Sequence, residues 1–117
     1  MENLIFQKST EFAIKIIKLT ELLNKNGHKI IANQILRSAT SIGANIAESE
    51  YAASKADFAN KLQISLKEAN ETKYWLYLLY KSNIISTEYV ELNNNLVEII
   101  KILTSSINSS KKNQVSP

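Results

Sequence analysis

The chain offers few side chains suited to catalysis. Its only histidine, His28, follows Gly27 in a turn without a carboxylate neighbour, which favours a turn or cap residue over a general base or metal ligand. Glu68 and Glu71 share one side of a helix with Lys67 between them, a pattern typical of helix-surface charge, and the chain lacks the Glu-x-x-His pairs of di-metal bundles. No phosphate-binding glycine loop or Gly-flanked Ser occurs. The sequence therefore predicts a non-enzymatic protein with no catalytic, cofactor-binding or metal-ligating residue and no small-molecule substrate.

The best candidate for contact with nucleic acid is a stripe of lysines within about 100° of arc on the first helix. Its members are Lys8, Lys15, Lys18 and Lys25. The i,i+4 spacing of Glu11 and Lys15 is instead typical of an ordinary solvated helix face. We favour a solvated face over a phosphate-binding stripe. The net charge of +3 is mild, but five copies would carry +15 and attract nucleic acid in a salt-sensitive way. Because the chain has only one Arg, any such binding should not depend on sequence.

These side chains must be positioned by helices. Seven residues from Phe58 to Leu79 follow a 4-3-4-3-4-3 spacing, which places them on one face of a helix and on both faces of a strand. The other three segments have the same kind of spacing, and short connections favour antiparallel neighbours. We therefore predict an all-α fold, an antiparallel up-down-up-down four-helix bundle over 1-104. The predicted helices span about 3-26, 29-50, 55-82 and 87-105, and a flexible polar tail spans 105-117.

Turn and cap residues separate the helices. Gly27 can end the first helix because it adopts the left-handed conformation without a Cβ clash. Ser54 with Asp57 three residues later resembles a capping box for the third helix. Ser86 is expected to cap the fourth helix through its side chain, with Glu88 favourably placed in the first turn.

Length and composition limit the class of protein. The chain has 117 residues, 44% of them hydrophobic, which suits one small domain. The absence of Cys excludes disulfide scaffolds and thiol catalysis. The longest uncharged stretch, ten residues from Ser38 to Ala47, is half of what a bilayer requires, and no signal peptide precedes it. We expect a cytoplasmic protein without membrane contact.

Two helices carry more apolar surface than one bundle can bury. The first helix has a second apolar line beside its core face, and the third is apolar almost all round near its end. The predicted interface residues are Phe6, Ala13, Ile17, Ile64, Tyr74, Trp75 and Leu78. Surplus apolar and aromatic surface of this kind is typical of a contact with another subunit or partner. Two alternatives are an irregular bundle that buries these side chains itself, and a platform on which bases stack, which the lack of interleaved Arg disfavours.

The second helix contains an unusual motif. Gly43 costs about 1 kcal/mol relative to Ala inside a helix, so a close approach of another helix or a local bend is expected to compensate. Arg37 and Glu48 lie too far apart to pair with each other, and each is expected to meet a partner on another helix or subunit. Ser41 shares their line, and Asn45 is a candidate buried residue that sets the register. Structural roles are favoured for all five.

Three stretches of the sequence together resemble one family. They are Gln34 to Glu48 (QILRSATSIGANIAE), Ser54 to Phe58 (SKADF) and Leu66 to Leu76 (LKEANETKYWL). The chain resembles, over about residues 5 to 104, the small bacterial four-helix-bundle proteins first noticed in intervening sequences of large-subunit ribosomal RNA genes. That family is related to the accessory variability protein of diversity-generating retroelements. Gly43 stands where Pro is common in the family, and Ser49 where Gly is frequent.

The resemblance implies a homo-oligomer, most simply a ring-like pentamer. It also implies nucleic-acid association for the branch that works with a reverse transcriptase, but that branch is rich in Arg and this chain has one. Two functions from different classes therefore remain. One is an oligomeric scaffold for a protein or nucleoprotein partner, and the other is a nonspecific nucleic-acid-binding module.

Overall fold

Four α-helices form the fold of the computed structural model, which describes the backbone of residues 3–115 and the side chains of residues 3–112. They are α1 (Leu4–Lys25), α2 (Lys29–Ser49), α3 (Lys55–Lys81) and α4 (Glu88–Val115). Connections of three, five and six residues join them. Each helix packs against its neighbours in sequence, α4 closes on α1, and the backbones of the diagonal pairs stay apart in the described part of the chain. The predicted all-α four-helix bundle is confirmed, as a rod of 55 × 22 × 21 Å.

The core consists of the side chains that the heptad spacing aligns. Its completely or almost completely buried large members are Phe12, Ile16, Ile35, Ile42, Ile46, Leu76, Leu79, Leu96, Ile99 and Leu103. Three positions of the same pattern, Ile31, Phe58 and Tyr89, are only partly buried and pack against this cluster. The periodicity therefore identifies the inner face of every helix, while burial decreases toward the helix ends.

Local hydrogen bonds define where the helices begin and end. Gly27 has a φ of +87° at the end of α1, as predicted. The predicted cap of α3 is also confirmed, since the Asp57 N–H donates to Ser54 Oγ at 3.0 Å. The return bond differs from a capping box, because Asp57 Oδ2 accepts from the N–H of Ala53, one residue before the N-cap, at 3.1 Å. Asn3, which the sequence did not single out, accepts from the Phe6 N–H at 2.9 Å and caps α1.

The start of α4 differs from the prediction in which group provides the cap. The Ser86 backbone N–H donates to Glu88 Oε1 at 3.0 Å, so the carboxylate is the acceptor. Hydrogen bonds from its own backbone N–H and from that of Ser86 hold the pKa of the Glu88 carboxyl below its ordinary value.

The predicted flexible tail differs from the structure, in which α4 continues through Val115. The polar composition after residue 105 conceals two positions that extend the core line, since Ile107 and Ser110 are buried. Lys55 and Phe58 at the start of α3 lie beside this segment. Packing of a sparse apolar line thus overrides a composition that favours disorder. The last two residues of the predicted tail lie outside the described residues.

Small and hydroxyl side chains let α1 and α3 approach α2 closely. A Cβ added to Gly43 would lie 3.2 Å from Ser9 Oγ on α1, which supplies the close approach expected from the sequence. On the other flank, the Ser65 hydroxyl donates to the Ile42 carbonyl of α2 at 2.8 Å, and Thr72 Oγ1 donates to Ser38 Oγ at 2.8 Å. These hydroxyls are buried, and their hydrogen bonds offset the cost of removing them from water.

Replacing Gly43 should reveal this contact. Gly43→Ala removes a helix penalty of about 1 kcal/mol, but its Cβ would press on Ser9 Oγ. The Ser9→Ala variant lacks this hydroxyl. We therefore expect Gly43→Ala to change the free energy of unfolding more favourably in the Ser9→Ala variant than in the wild type, by about 1 kcal/mol. Denaturant unfolding followed by circular dichroism at one protein concentration measures both differences. Equal effects in the two backgrounds would contradict the close approach.

The cap at Glu88 predicts a dependence on pH. Because the folded-state pKa of Glu88 is lowered, its stabilisation is present above the ordinary glutamate pKa of about 4.3 and is lost as pH falls through the lowered value. Because Glu88 is exposed and its charge is screened by solvent, we expect Glu88→Gln to reduce stability at neutral pH by only about a few tenths of a kcal/mol, and the difference from wild type to vanish in acid. Unfolding measured at several pH values tests this, with the exposed Glu21→Gln as the control. A difference that grows on acidification would contradict it.

Candidate interaction surfaces

Ion pairs identify the flank of α1 that faces α4. Lys8 Nζ lies 2.7 Å from Glu98 Oε1, and Lys15 Nζ lies 2.8 Å from Glu91 Oε1 and donates to Asn95 Oδ1 at 3.0 Å. Two of the four lysines predicted as a phosphate-facing stripe are thus engaged with α4.

The other two lysines of the stripe have different surroundings. Lys18 lines a groove of about 350 Å³ between α1 and α4, together with Leu22 and Glu88. Lys25 is exposed in the last turn of α1. Three of the four lysines therefore lie along a seam that also contains α4 carboxylates, so the stripe does not form an uninterrupted basic surface.

The opposite flank of α1 carries its predicted apolar line. Ser9 marks this flank because it contacts Gly43 of α2. At about 100° per residue, Phe6, Ala13 and Ile17 lie on the same side, next to α2. Phe6 and Ala13 are half-buried, whereas Ile17 is 41% exposed. This line therefore flanks α2 and leaves apolar surface uncovered.

The apolar line of α3 flanks α2 from the other side. Ile64, Glu71 and Leu78 are seven residues apart and share one line of the helix. The Arg37 guanidinium of α2 donates to the Glu71 carboxylate, which places that line beside α2. Trp75 belongs to the same flank, since its indole N–H donates to Glu71 Oε2 at 3.1 Å. Two predicted interface lines on different helices thus border the same helix.

Between these lines lies the outer side of α2, which completes a broad surface called here the α2 face. Ile30 is 83% exposed, Ala44 is exposed, and Ser41 is half-buried. The helices α2 and α3 run antiparallel, and the ion pairs between them set their register. In this register Leu78 of α3 lies at the level of Ile30 of α2. The α2 face is defined by Phe6, Ala13, Ile17, Ile30, Ala44, Ile64, Trp75 and Leu78.

The motif residues of α2 have mainly structural contacts. Arg37 Nη1 lies 3.6 Å from Glu68 Oε1, an oxygen that is buried without a hydrogen-bond partner, so the guanidinium compensates its charge. Glu48 Oε1 lies 3.1 Å from Lys61 Nζ of α3. Each charge of the motif thus has its partner on α3, within the same subunit.

The two polar motif residues bond within their own helix. The Ser41 hydroxyl donates to the Arg37 carbonyl at 2.7 Å, and Asn45 Nδ2 donates to the Ser41 carbonyl at 2.8 Å. The register between α2 and α3 is therefore supported by the ion pairs and by the Ser38 and Thr72 hydroxyls, while the hydrogen bond of Asn45 is internal to α2.

Tyr74 falls on a different surface from the other predicted interface residues. It lines a shallow groove of about 280 Å³ with Asn70, Lys73, Tyr77 and Tyr89. The sequence did not assign Tyr77 or Lys73 to an interaction surface, and its periodicity placed Tyr89 on the inner face of the fourth helix. The i,i+3 spacing of Tyr74 and Tyr77 next to a lysine was a usable signal, but the contribution of α4 was not predictable without the fold.

Other chemistry finds little support in the described residues. His28 occupies the N-cap position of α2 and makes no side-chain capping bond. Across residues 3–112, no three His, Asp or Glu side chains are grouped so as to hold a metal ion. Within the same part of the chain, no helix combines the length and apolar character needed to cross a bilayer.

Known proteins provide two similarities. The family model described as 23S rRNA-intervening sequence protein matches residues 1–105. A crystal structure of a protein with unknown function from the S23 ribosomal protein family of Bacteroides thetaiotaomicron VPI-5482 is 52% identical, with a TM-score of 0.86 over 89% of this chain and 98% of that chain. No curated protein matches the chain.

The pair of Arg37 with the buried Oε1 of Glu68 predicts an energetic coupling between the two residues. Arg37→Gln should leave an uncompensated carboxylate and lower the free energy of unfolding by about 2 kcal/mol. Adding Glu68→Gln removes the buried charge, so the double variant should recover much of that loss. Denaturant unfolding of the two single variants and the double variant measures the coupling. Additive losses would contradict the assignment.

Proposed function

The chain belongs to the 23S rRNA-intervening sequence protein family, and from that membership we propose that it is a non-enzymatic, homo-oligomeric scaffold. The assembly is a ring-like pentamer that presents repeated copies of the bundle to a protein or nucleoprotein partner in the cytoplasm. The observation that carries this proposal is the α2 face, where two apolar lines border one helix.

The packing within one subunit supports self-association. The inner positions of all four helices are already buried, and Phe6 and Trp75 at the edges of the α2 face pack against them. Ile30 and Ile17 therefore expose apolar surface that has no role inside the bundle. Covering such surface with a second copy removes it from water, at roughly 25 cal/mol per Å².

Side chains at the edge of the α2 face are already held in place before a second copy binds, which also supports the proposal. The Arg37 guanidinium and the Trp75 indole N–H both donate to Glu71 Oε2. These bonds fix a large aromatic side chain at the edge of the face, which reduces the entropy lost when it is buried. An aromatic ring and an Arg in a preordered position are typical of residues that contribute most to binding.

The contacts of the charged side chains also support a scaffold, because many of these side chains connect helices. Five ion pairs in the described residues connect helices: two join α1 to α4 and three join α2 to α3. Carboxylates and amines that could otherwise serve as acids, bases or ligands are used to hold helices together. This supports a non-enzymatic role.

The alternative function, nonspecific nucleic-acid binding through the α1 lysines, has less support. Lys8 and Lys15 face Glu98 and Glu91, so phosphate would have to compete with carboxylates already in place. We do not propose nucleic-acid contact through this stripe.

Placing charge on the α2 face tests the scaffold. We expect the wild type to form an assembly of about 66 kDa, five subunits of 13.2 kDa each. Ile30→Glu with Leu78→Glu should yield monomers that remain helical, because carboxylates without partners are costly to bury in an interface. Light scattering after size exclusion gives the mass, and circular dichroism checks the fold.

A matched pair of substitutions controls for added charge. Leu22 and Val90 are 50% and 63% exposed, on α1 and α4 and away from the α2 face. Leu22→Glu with Val90→Glu adds the same charge and should leave the assembly intact. A wild-type monomer at micromolar concentration, or dissociation of the control alone, would overturn the proposal.

A further inference from the structure

Acidic side chains are absent from one side of the bundle in the described residues. Every carboxylate of α3 and α4 has a contact that directs it elsewhere. Glu68 and Glu71 face Arg37 of α2, whereas Glu91 and Glu98 pair with lysines of α1.

The two remaining carboxylates of these helices lie at helix starts. Asp57 accepts from the Ala53 N–H in the cap of α3. Glu88 accepts from the Ser86 N–H and lines the groove beside Lys18. The outer surface where α3 meets α4 is therefore left without acidic groups.

That surface, called here the α3–α4 face, combines tyrosines with lysines. Tyr74, Tyr77 and Tyr80 are 55%, 48% and 42% exposed on successive turns of α3. The Tyr80 ring stacks on Tyr89 of α4, with centroids 4.3 Å apart and planes 14° from parallel. The shallow groove beside them is lined by Asn70, Lys73, Tyr74, Tyr77 and Tyr89.

Positive charge lies directly against these rings. Lys73 lines the groove, and Lys81 Nζ lies 5.9 Å from the centroid of the Tyr77 ring. Lys73 and Lys81 stand next to Tyr74 and Tyr80 in the sequence, but the leucines between them obscure which rings share a surface with the amines. The fold removes those leucines to the core or to the α2 flank and leaves rings and amines together.

We propose that the α3–α4 face binds single-stranded nucleic acid, with bases stacked on Tyr74 and Tyr77 and phosphates held by the adjacent lysines. Single strands expose both features at once, a negative backbone and unpaired aromatic bases. Binding does not depend on the base sequence of the strand, because lysine contacts phosphate as a point charge and any base can stack on a tyrosine ring. The proposal does not depend on self-association, although repeated copies in an assembly would strengthen binding to one long strand.

The composition of the face favours this ligand over another subunit. The α3–α4 face alternates tyrosines with Lys and Asn, while the exposed aliphatic surplus of α2 and its flanks lies on the α2 face. Interfaces between subunits are depleted in lysine at their centres, where amines would lose water without gaining a partner. A polyanion supplies that partner.

Fluorescence anisotropy with a labelled oligo(dT) or oligo(rU) of about 20 nucleotides tests the proposal at about 50 mM salt. We expect Tyr74→Ala with Tyr77→Ala to weaken binding about tenfold or more, and Tyr74→Phe with Tyr77→Phe to retain it, because the ring is what stacks. Tyr51, 90% exposed and between α2 and α3, supplies the matched control Tyr51→Ala, which should bind as wild type does.

Two further measurements separate stacking from simple charge attraction. Lys73→Gln should weaken binding and reduce the slope of log affinity against log salt by about one, whereas Lys73→Arg should preserve both. The single tryptophan, Trp75, has its ring centroid 5.3 Å from that of Tyr74, and its fluorescence should be quenched by an unlabelled oligonucleotide but not by inorganic polyphosphate.

Several outcomes would overturn the proposal. These are no binding at low salt, unchanged affinity in the Tyr→Ala variant, or binding of polyphosphate or an equally long duplex as tight as that of the single strand. A fourth is a change in assembly mass on Tyr74→Ala with Tyr77→Ala, which would make the α3–α4 face a subunit contact. A monomeric wild type that binds single strands would reject the scaffold and leave this proposal standing.

Discussion

The close approach of α1 and α3 to α2 is the constraint on which the other features depend. Gly43 leaves room for Ser9 on one flank, and on the other flank the Ser65 hydroxyl reaches the backbone of α2. A larger side chain at either contact would push the helices apart. The short distance between α2 and α3 also brings Arg37 within reach of Glu68 and Glu71. The ion pairs that order the α2 face are therefore a consequence of small residues in the interior.

Much of the fold follows from the sequence, because each amphipathic helix has one apolar line that identifies its inner face. Caps at Ser54 and Gly27 follow from local chemistry in the same way. The end of α4 was not predictable from composition, since Ile107 and a buried Ser110 suffice to keep a polar segment helical against its neighbours. Long-range packing determines that end, whereas composition describes only local preference.

The surfaces were harder to predict than the fold, for a geometric reason. A heptad pattern determines which side of a helix faces inward, but not which neighbour lies to its left or right. For that reason the sequence did not reveal that Lys8 and Lys15 face α4 while Ile17 faces α2. The same ambiguity placed Tyr74 together with Trp75, although in the structure Tyr74 also lines the groove to which Tyr89 of α4 contributes. The two rings have centroids 5.3 Å apart and lie where the α2 face borders the α3–α4 face.

The contact between α1 and α4 depends less on packing than the contacts between the other three pairs of neighbouring helices do. It is the least extensively packed of the four, and it is held by the exposed ion pairs of Lys8 and Lys15 above a partly open groove. Exposed pairs contribute little free energy and weaken in salt. Release of α1 from α4 is therefore the least costly local opening of the bundle, with α1 still anchored on α2. We expect the same order in folding, with α1 docking onto α4 last.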